Sequence, residues 1–158
     1  MDHLWSPWRM EYIQAAKEEA KGCVFCSIPQ DEEDRVLVRG ELGYVVLNKF
    51  PYNPGHVLVV PFRHVGELGD LSAEENLELQ SLLQRSVRAI RAEADPHGFN
   101  IGMNLGRMAG AGIPEHLHWH VVPRWGGDTN FMSTVGEARV LPEMLAETAR
   151  KLAPRFAE

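Results

Sequence analysis

A chain of 158 residues, 44% hydrophobic and 24% charged, is long enough to bury one proper core and has the balance of an ordinary globular domain. Its formal charge of −6 argues against non-specific binding to DNA or RNA, which needs a basic stripe, although backbone amides can still hold a local phosphate. The longest apolar runs, such as Val57 to Pro61, are strand-sized, and Met1-Asp2-His3-Leu4-Trp5 lacks a basic region followed by an apolar one. Neither a membrane span nor a secretory signal is expected, and a cytoplasmic location follows by default.

In chain order, Trp5 to Ala20 starts at Ser6-Pro7 and continues through Met10, Ile13 and Ala16, which predicts a short helix or packed arm. Cys23 and Cys26 are the only cysteines; with no sign of export, their Cys-x-x-Cys spacing leaves a metal half-site or a redox pair. Val36 to Arg39, Tyr44 to Asn48 and His56 to Pro61 read as three strands, joined by a turn at Glu41-Leu42-Gly43 and a longer Pro/Gly loop from Lys49 to Gly55. Such an order predicts an antiparallel meander.

Ser72-Ala73-Glu74-Glu75 has the form of a capping box. Leu79, Leu82, Leu83, Val87, Ile90 and Ala94 then recur at helical spacing until Pro96, which predicts one long amphipathic helix. Phe99 to Leu105 reads as a strand, Gly106 to Glu115 as a mobile loop, and His116 to Val122 as the central strand. A last helix is expected from Pro142 to Ala153, with Leu141, Leu145 and Leu152 as its apolar contacts.

The stretch His116-Leu117-His118-Trp119-His120-Val121-Val122 is the most informative in the chain. A strand has a side-chain period of two, so the three histidines are expected on one face, roughly 6.5–7 Å apart, with Leu117, Trp119 and Val121 on the other. Imidazole can act as nucleophile, acid, base or metal ligand, and three in strict alternation point to a chemical site more than to separately satisfied core histidines.

That run fits the pattern His, apolar, His, apolar, His, apolar, apolar, and Asn53-Pro54-Gly55-His56 leads into an apolar strand closed by Pro61. Together they resemble the histidine-triad (HIT) family of nucleotide hydrolases and transferases. Leu4-Trp5-Ser6-Pro7-Trp8-Arg9-Met10, Tyr52-Asn53-Pro54-Gly55-His56, His97-Gly98-Phe99-Asn100 and Pro123-Arg124-Trp125-Gly126-Gly127-Asp128 look like the bacterial branch that includes diadenosine tetraphosphate phosphorylases. The resemblance implies an α+β fold: an antiparallel sheet of about five strands with the long helix across it and a carboxy-terminal helix. It implies a single domain over 1–158, comprising an arm (1–22), a core (23–124) and an extension (125–158), assembled as a homodimer.

It further implies that His118 attacks the α-phosphorus of an adenine nucleotide or dinucleoside polyphosphate and forms a covalent nucleotidyl-histidine. His116 would fix His118 through its backbone carbonyl, and His120 would support charge at the phosphate. Asn48, eight residues before His56, matches the family's ribose-binding asparagine, or is only a turn residue. Asn104 resembles the phosphate-side amide, again with a turn as the plain alternative, and His56 is expected to pack beneath the nucleotide or order its loop.

Gly112 departs from the family, standing four residues before His116 where relatives carry Gln or Ser. Its place leaves the acceptor, water or phosphate, open, and makes Arg107 or loop amides the candidates to replace the missing contact. Related proteins with the cysteine pair complete a structural zinc site, which implies Cys23, Cys26, His64 and His116 as ligands here; no organic cofactor is implied. Trp125 is expected to stack on a base, in its own site or in the partner's, or to pack in the core or a dimer contact. A phosphoramidase acting on mononucleotides and a non-enzymatic nucleotide- or zinc-binding module are the alternative functions.

Overall fold

The computed structural model of the protein describes residues 22–31, 33–128 and 143–157. The helix or arm expected from Trp5 to Ala20 lies outside them. Five strands form one sheet: β1 (Val36–Arg39), β2 (Gly43–Leu47), β3 (Val57–Pro61), β4 (Gly98–Gly102) and β5 (Trp119–Arg124). Their spatial order is β1-β2-β3-β5-β4 and each neighbouring pair is antiparallel. The architecture is therefore the expected α+β fold with a five-stranded antiparallel sheet.

The central strands β2 and β3 are buried along their whole lengths because both faces of the sheet are covered. On one face Val45, Leu47, Val57 and Val59 join Leu79, Leu82, Leu83 and Ile90 of the long helix α2 (Ala73–Ala94) in the larger core. The alternate residues Tyr44, Val46, Leu58 and Val60 turn to the other face and meet Phe25 and Ile28 of a short helix, α1 (Val24–Asp31). A period of two thus sorts one apolar run into two cores.

Helix α2 starts at the expected capping box: Ser72 Oγ accepts from the Glu75 N–H, and the Glu75 carboxylate accepts from the Ser72 N–H. The last helix, α3 (Leu145–Arg155), packs Leu152, followed by Phe156, into the larger core. Helix α1 is not foreshadowed by the periodicity. It is held by Phe25 and Ile28, one turn apart, and by the Tyr44 hydroxyl, which donates to the Phe25 carbonyl at 2.6 Å. Among the described residues, no helix is long and apolar enough to cross a membrane.

Candidate active site

The strand expected from His116 to Val122 begins instead at Trp119, so only His120 of the three histidines lies in a ladder. The reason is local: the Leu117 N–H donates to the Val65 carbonyl at 2.7 Å, and the chain follows the segment beyond β3 before pairing starts. Alternation nevertheless persists along the extended stretch. Leu117 and Val121 enter the core beneath α2, with Trp119 packed against it, while the Phe25 ring of α1 touches His116 and His118 on the opposite face. The rings of His118 and His120 meet edge to face, 5.1 Å apart.

Carbonyl oxygens only accept, so each one beside an imidazole fixes a tautomer. The His118 Nδ1–H donates to the His116 carbonyl at 2.9 Å, which leaves the lone pair on Nε2. His118 is buried, and burial lowers its pKa, favouring the neutral ring that a nucleophile requires.

A second pair of rings is ordered by a backbone amide. The Tyr52 N–H donates to His56 Nδ1 at 3.0 Å, so the proton of a neutral His56 sits on Nε2, 3.0 Å from His120 Nδ1. His120 accepts that proton's hydrogen bond and must carry its own on Nε2. Among the described residues this is the buried side-chain nitrogen with no hydrogen-bond partner. Burial, then the neighbouring His118, push the His120 pKa down to about 4, so the ring is neutral near pH 7 and offers Nε2–H as a donor.

His120 forms part of a cleft of about 300 Å³ with Tyr52, Asn53, Met103, Asn104 and Arg124 among its other walls. Asn104 lines this cleft, and its Nδ2 donates to the Gly110 carbonyl at 3.3 Å. Asn48 is turned to its own loop: Oδ1 accepts from the Phe50 N–H at 3.0 Å and Nδ2 lies 3.2 Å from His56 Nδ1. Gly112 is exposed. Arg107 pairs with Glu115 at the surface, 3.2 Å away, and the amides of Ala109, Gly110 and Ala111 donate to carbonyls within the glycine loop. Trp125 lines a separate cavity of about 440 Å³ with Pro54, Ile90 and Leu152.

On the other side of His118 lies a compact donor set. The His116 Nε2–H donates to the Pro61 carbonyl at 2.9 Å, turning the Nδ1 lone pair toward Cys23 Sγ at 3.2 Å and Cys26 Sγ at 3.5 Å. His64 Nδ1 lies 3.5 Å from Cys26 Sγ, and one ligand atom from each of the four residues falls within 4.8 Å of the others. Helix α1 explains the thiol geometry, because Cys23 precedes its first turn and Cys26 lies within it. Two sulfurs and two imidazole nitrogens form a candidate metal site of the soft, four-ligand kind, with a backbone carbonyl behind one ligand.

Motif reading gives no role to Asn53, Asn100, Arg124 or Asp128, which the fold brings together. Arg124 Nε and a terminal nitrogen donate to the two oxygens of Asp128 at 2.6 and 2.9 Å, and its other terminal nitrogen donates to Asn100 Oδ1 at 2.6 Å. Asn53 Nδ2 donates to Asp128 Oδ2 at 2.8 Å and to the Pro123 carbonyl at 2.9 Å. The signals in the sequence that could have pointed here are the opposite charges at Arg124 and Asp128, four apart, and the three branch-like segments that contain these four residues.

Residues 30–127 match the HIT domain family. The chain is 48% identical over 166 aligned positions to the AP-4-A phosphorylase of Mycobacterium tuberculosis, taking in 99% of this chain and 85% of that protein. It is 34% identical over 93 residues to the bis(5'-adenosyl)-triphosphatase of Saccharomyces cerevisiae, covering 58% of this chain and 45% of that one. Among solved structures, a Zn-bound histidine triad family protein from Mycobacterium smegmatis superposes with a TM-score of 0.71 at 32% identity, over 86% of this chain and 94% of the other.

Proposed function

The chain belongs to the HIT domain family and is a nucleotide hydrolase or phosphorylase, and from that premise we propose that it cleaves dinucleoside polyphosphates of adenosine through a covalent nucleotidyl-His118. The observation that carries this is the 2.9 Å hydrogen bond from His118 Nδ1 to the His116 carbonyl, which leaves Nε2 as the nucleophile.

The Nε2 lone pair attacks the α-phosphorus, the bond to the bridging oxygen breaks, and its electrons leave with the departing polyphosphate. His120 Nε2–H lies ready to hydrogen-bond that oxygen as its charge develops. The phosphorylated imidazole gains positive charge, which the His116 carbonyl stabilises through Nδ1–H. In the second step an oxygen of water or phosphate attacks the same phosphorus and the P–N bond breaks, returning His118 to its neutral form. Asn104 supports binding on the cleft wall. Asn48, His56 and Gly112 are assigned to the edge of the nucleotide site.

We infer that Cys23, Cys26, His64 and His116 hold zinc, since the donor set matches that metal's preference and the Pro61 carbonyl orients His116 as an outer partner. With all four positions filled by protein, the ion cross-links the fold and supplies no chemistry at phosphate. A homodimer through α2 and β4 completes the reading, with β4 an edge strand and its Ile101 47% exposed.

The test compares products from diadenosine tetraphosphate with and without inorganic phosphate, with adenosine 5'-phosphoramidate as a second substrate. ADP and ATP formed only with added phosphate identify phosphorolysis, and AMP with ATP in its absence identifies hydrolysis. Either should accompany an acid-quenched adenylyl adduct on His118. Turnover with no such adduct in rapid-quench samples removes the covalent step, and turnover of the phosphoramidate alone removes the assigned substrate.

A further inference from the structure

The loop between β2 and β3 closes on itself, with the Asn48 N–H donating to the His56 carbonyl at 3.0 Å and the His56 N–H to the Asn53 carbonyl at 3.1 Å. Within it sits the Tyr52 N–H that holds His56 Nδ1 as an acceptor. The loop is pinned to the end of β5 by Asn53, which is 7% exposed and donates to both Pro123 and Asp128. Asp128 is itself gripped by the Arg124 fork and accepts from the Trp125 N–H at 3.3 Å. A carboxylate beside a cleft meant for anions is unfavourable unless its charge is matched, as the two-pronged Arg124 contact does.

These contacts form one line from the turn after β5 to the buried, unpartnered Nε2 of His120, a residue of the cleft wall. We propose that Asp128 is a positioning residue for proton donation by His120: by holding Asn53 it keeps the Tyr52 amide on His56, and thereby the proton on His120 Nε2. The proposal rests on the reading of His120 as hydrogen-bond donor to the departing oxygen. Without the Tyr52 amide, His56 Nδ1 is held as an acceptor less firmly, by Asn48 Nδ2 at 3.2 Å, and the tautomer with its proton on Nδ1 gains population; His56 Nε2 then accepts from His120 Nδ1. His120 would then turn a bare Nε2 toward an oxygen that is gathering negative charge.

The sensitive readout is the dependence of rate on leaving-group basicity. The phenyl and p-nitrophenyl esters of AMP present the same phosphorus to His118, yet phenolate needs the donor far more than nitrophenolate. Rates on both esters are compared for wild type, His120→Ala, Asp128→Ala and Asn53→Ala, the last of which leaves the Arg124–Asp128 pair in place. His120→Ala is expected to lose on the order of 100-fold on the phenyl ester, and the two positioning variants about 10-fold, with less than about 3-fold on the nitrophenyl ester for all three.

A His120→Ala split with equal losses on both esters, or none, for Asp128→Ala and Asn53→Ala overturns the proposal while leaving the His120 donor intact. Equal losses for His120→Ala itself overturn the donor reading and the proposal with it. Should Asp128→Ala fail to fold, Asn53→Ala alone decides, because a purely structural contact cannot discriminate between leaving groups.

Discussion

The cysteine–histidine cluster and the histidine cleft share one short stretch of chain, yet use their imidazoles in opposite ways. In the cluster, His116 gives Nε2–H to Pro61 and turns its lone pair inward to two thiols. Beside the cleft, His118 gives Nδ1–H to His116 and keeps its lone pair on the other nitrogen, while His120, one of the cleft's walls, keeps a buried, unpartnered Nε2. On the proposed reading, what separates ligand, nucleophile and donor is the acceptor or donor behind each ring. The same residue type, two positions apart, would then serve as three different groups.

The largest effect that can test this contrast is His118→Ala. Loss of the nucleophile should lower diadenosine tetraphosphate turnover by on the order of 10⁴-fold or more with little change in thermal midpoint. A residual rate within 10-fold of wild type would put the nucleophile elsewhere.

On the cluster side the expected order is reversed, with stability suffering more than chemistry. Protein purified without chelator should carry about one zinc per chain, and Cys26→Ser should lose most of it, lower the thermal midpoint, and reduce turnover by roughly 10-fold through the slackened His116. Full zinc occupancy in that variant would break the contrast, since the cleft and the cluster would then no longer be separable by their ligands.

The smallest effect concerns pH. His120 titrates near 6.5 in an unfolded chain but only at about 4 when folded, so between these values the unfolded state binds more protons. Stability due to this ring is complete above about 6.5 and declines as pH falls toward 4. The thermal midpoint of wild type should drop over that window more steeply than that of His120→Asn; parallel curves would show that burial of the neutral ring carries no such cost.

Local patterns were readable where they were self-contained. The β1 to β3 meander, the Ser72 capping box and the alternation around His118 follow from neighbours within a few residues. Helix α1 was not, because it is short, contains Pro29, and owes its place to Tyr44 and the sheet. The start of β5 at Trp119 depends on a carbonyl at Val65 that no motif announces. Asn48 shows how a turn residue and a site residue look alike: its amide closes the loop, which neither supports nor opposes the ribose contact that its spacing suggests. Asn53 and Asp128, 75 positions apart, are joined only by the topology.

The separation of Cys23 from His116 by 93 positions has a consequence in time. During synthesis the two thiols emerge long before the histidine that completes their set, and bringing the ends together carries the loop-closure entropy of nearly the whole core. A metal ion taken up as proposed would meet an incomplete set on the nascent chain and be held weakly there. Tight retention would begin only once His116 has joined the set, so the ion would fasten a formed sheet instead of nucleating one.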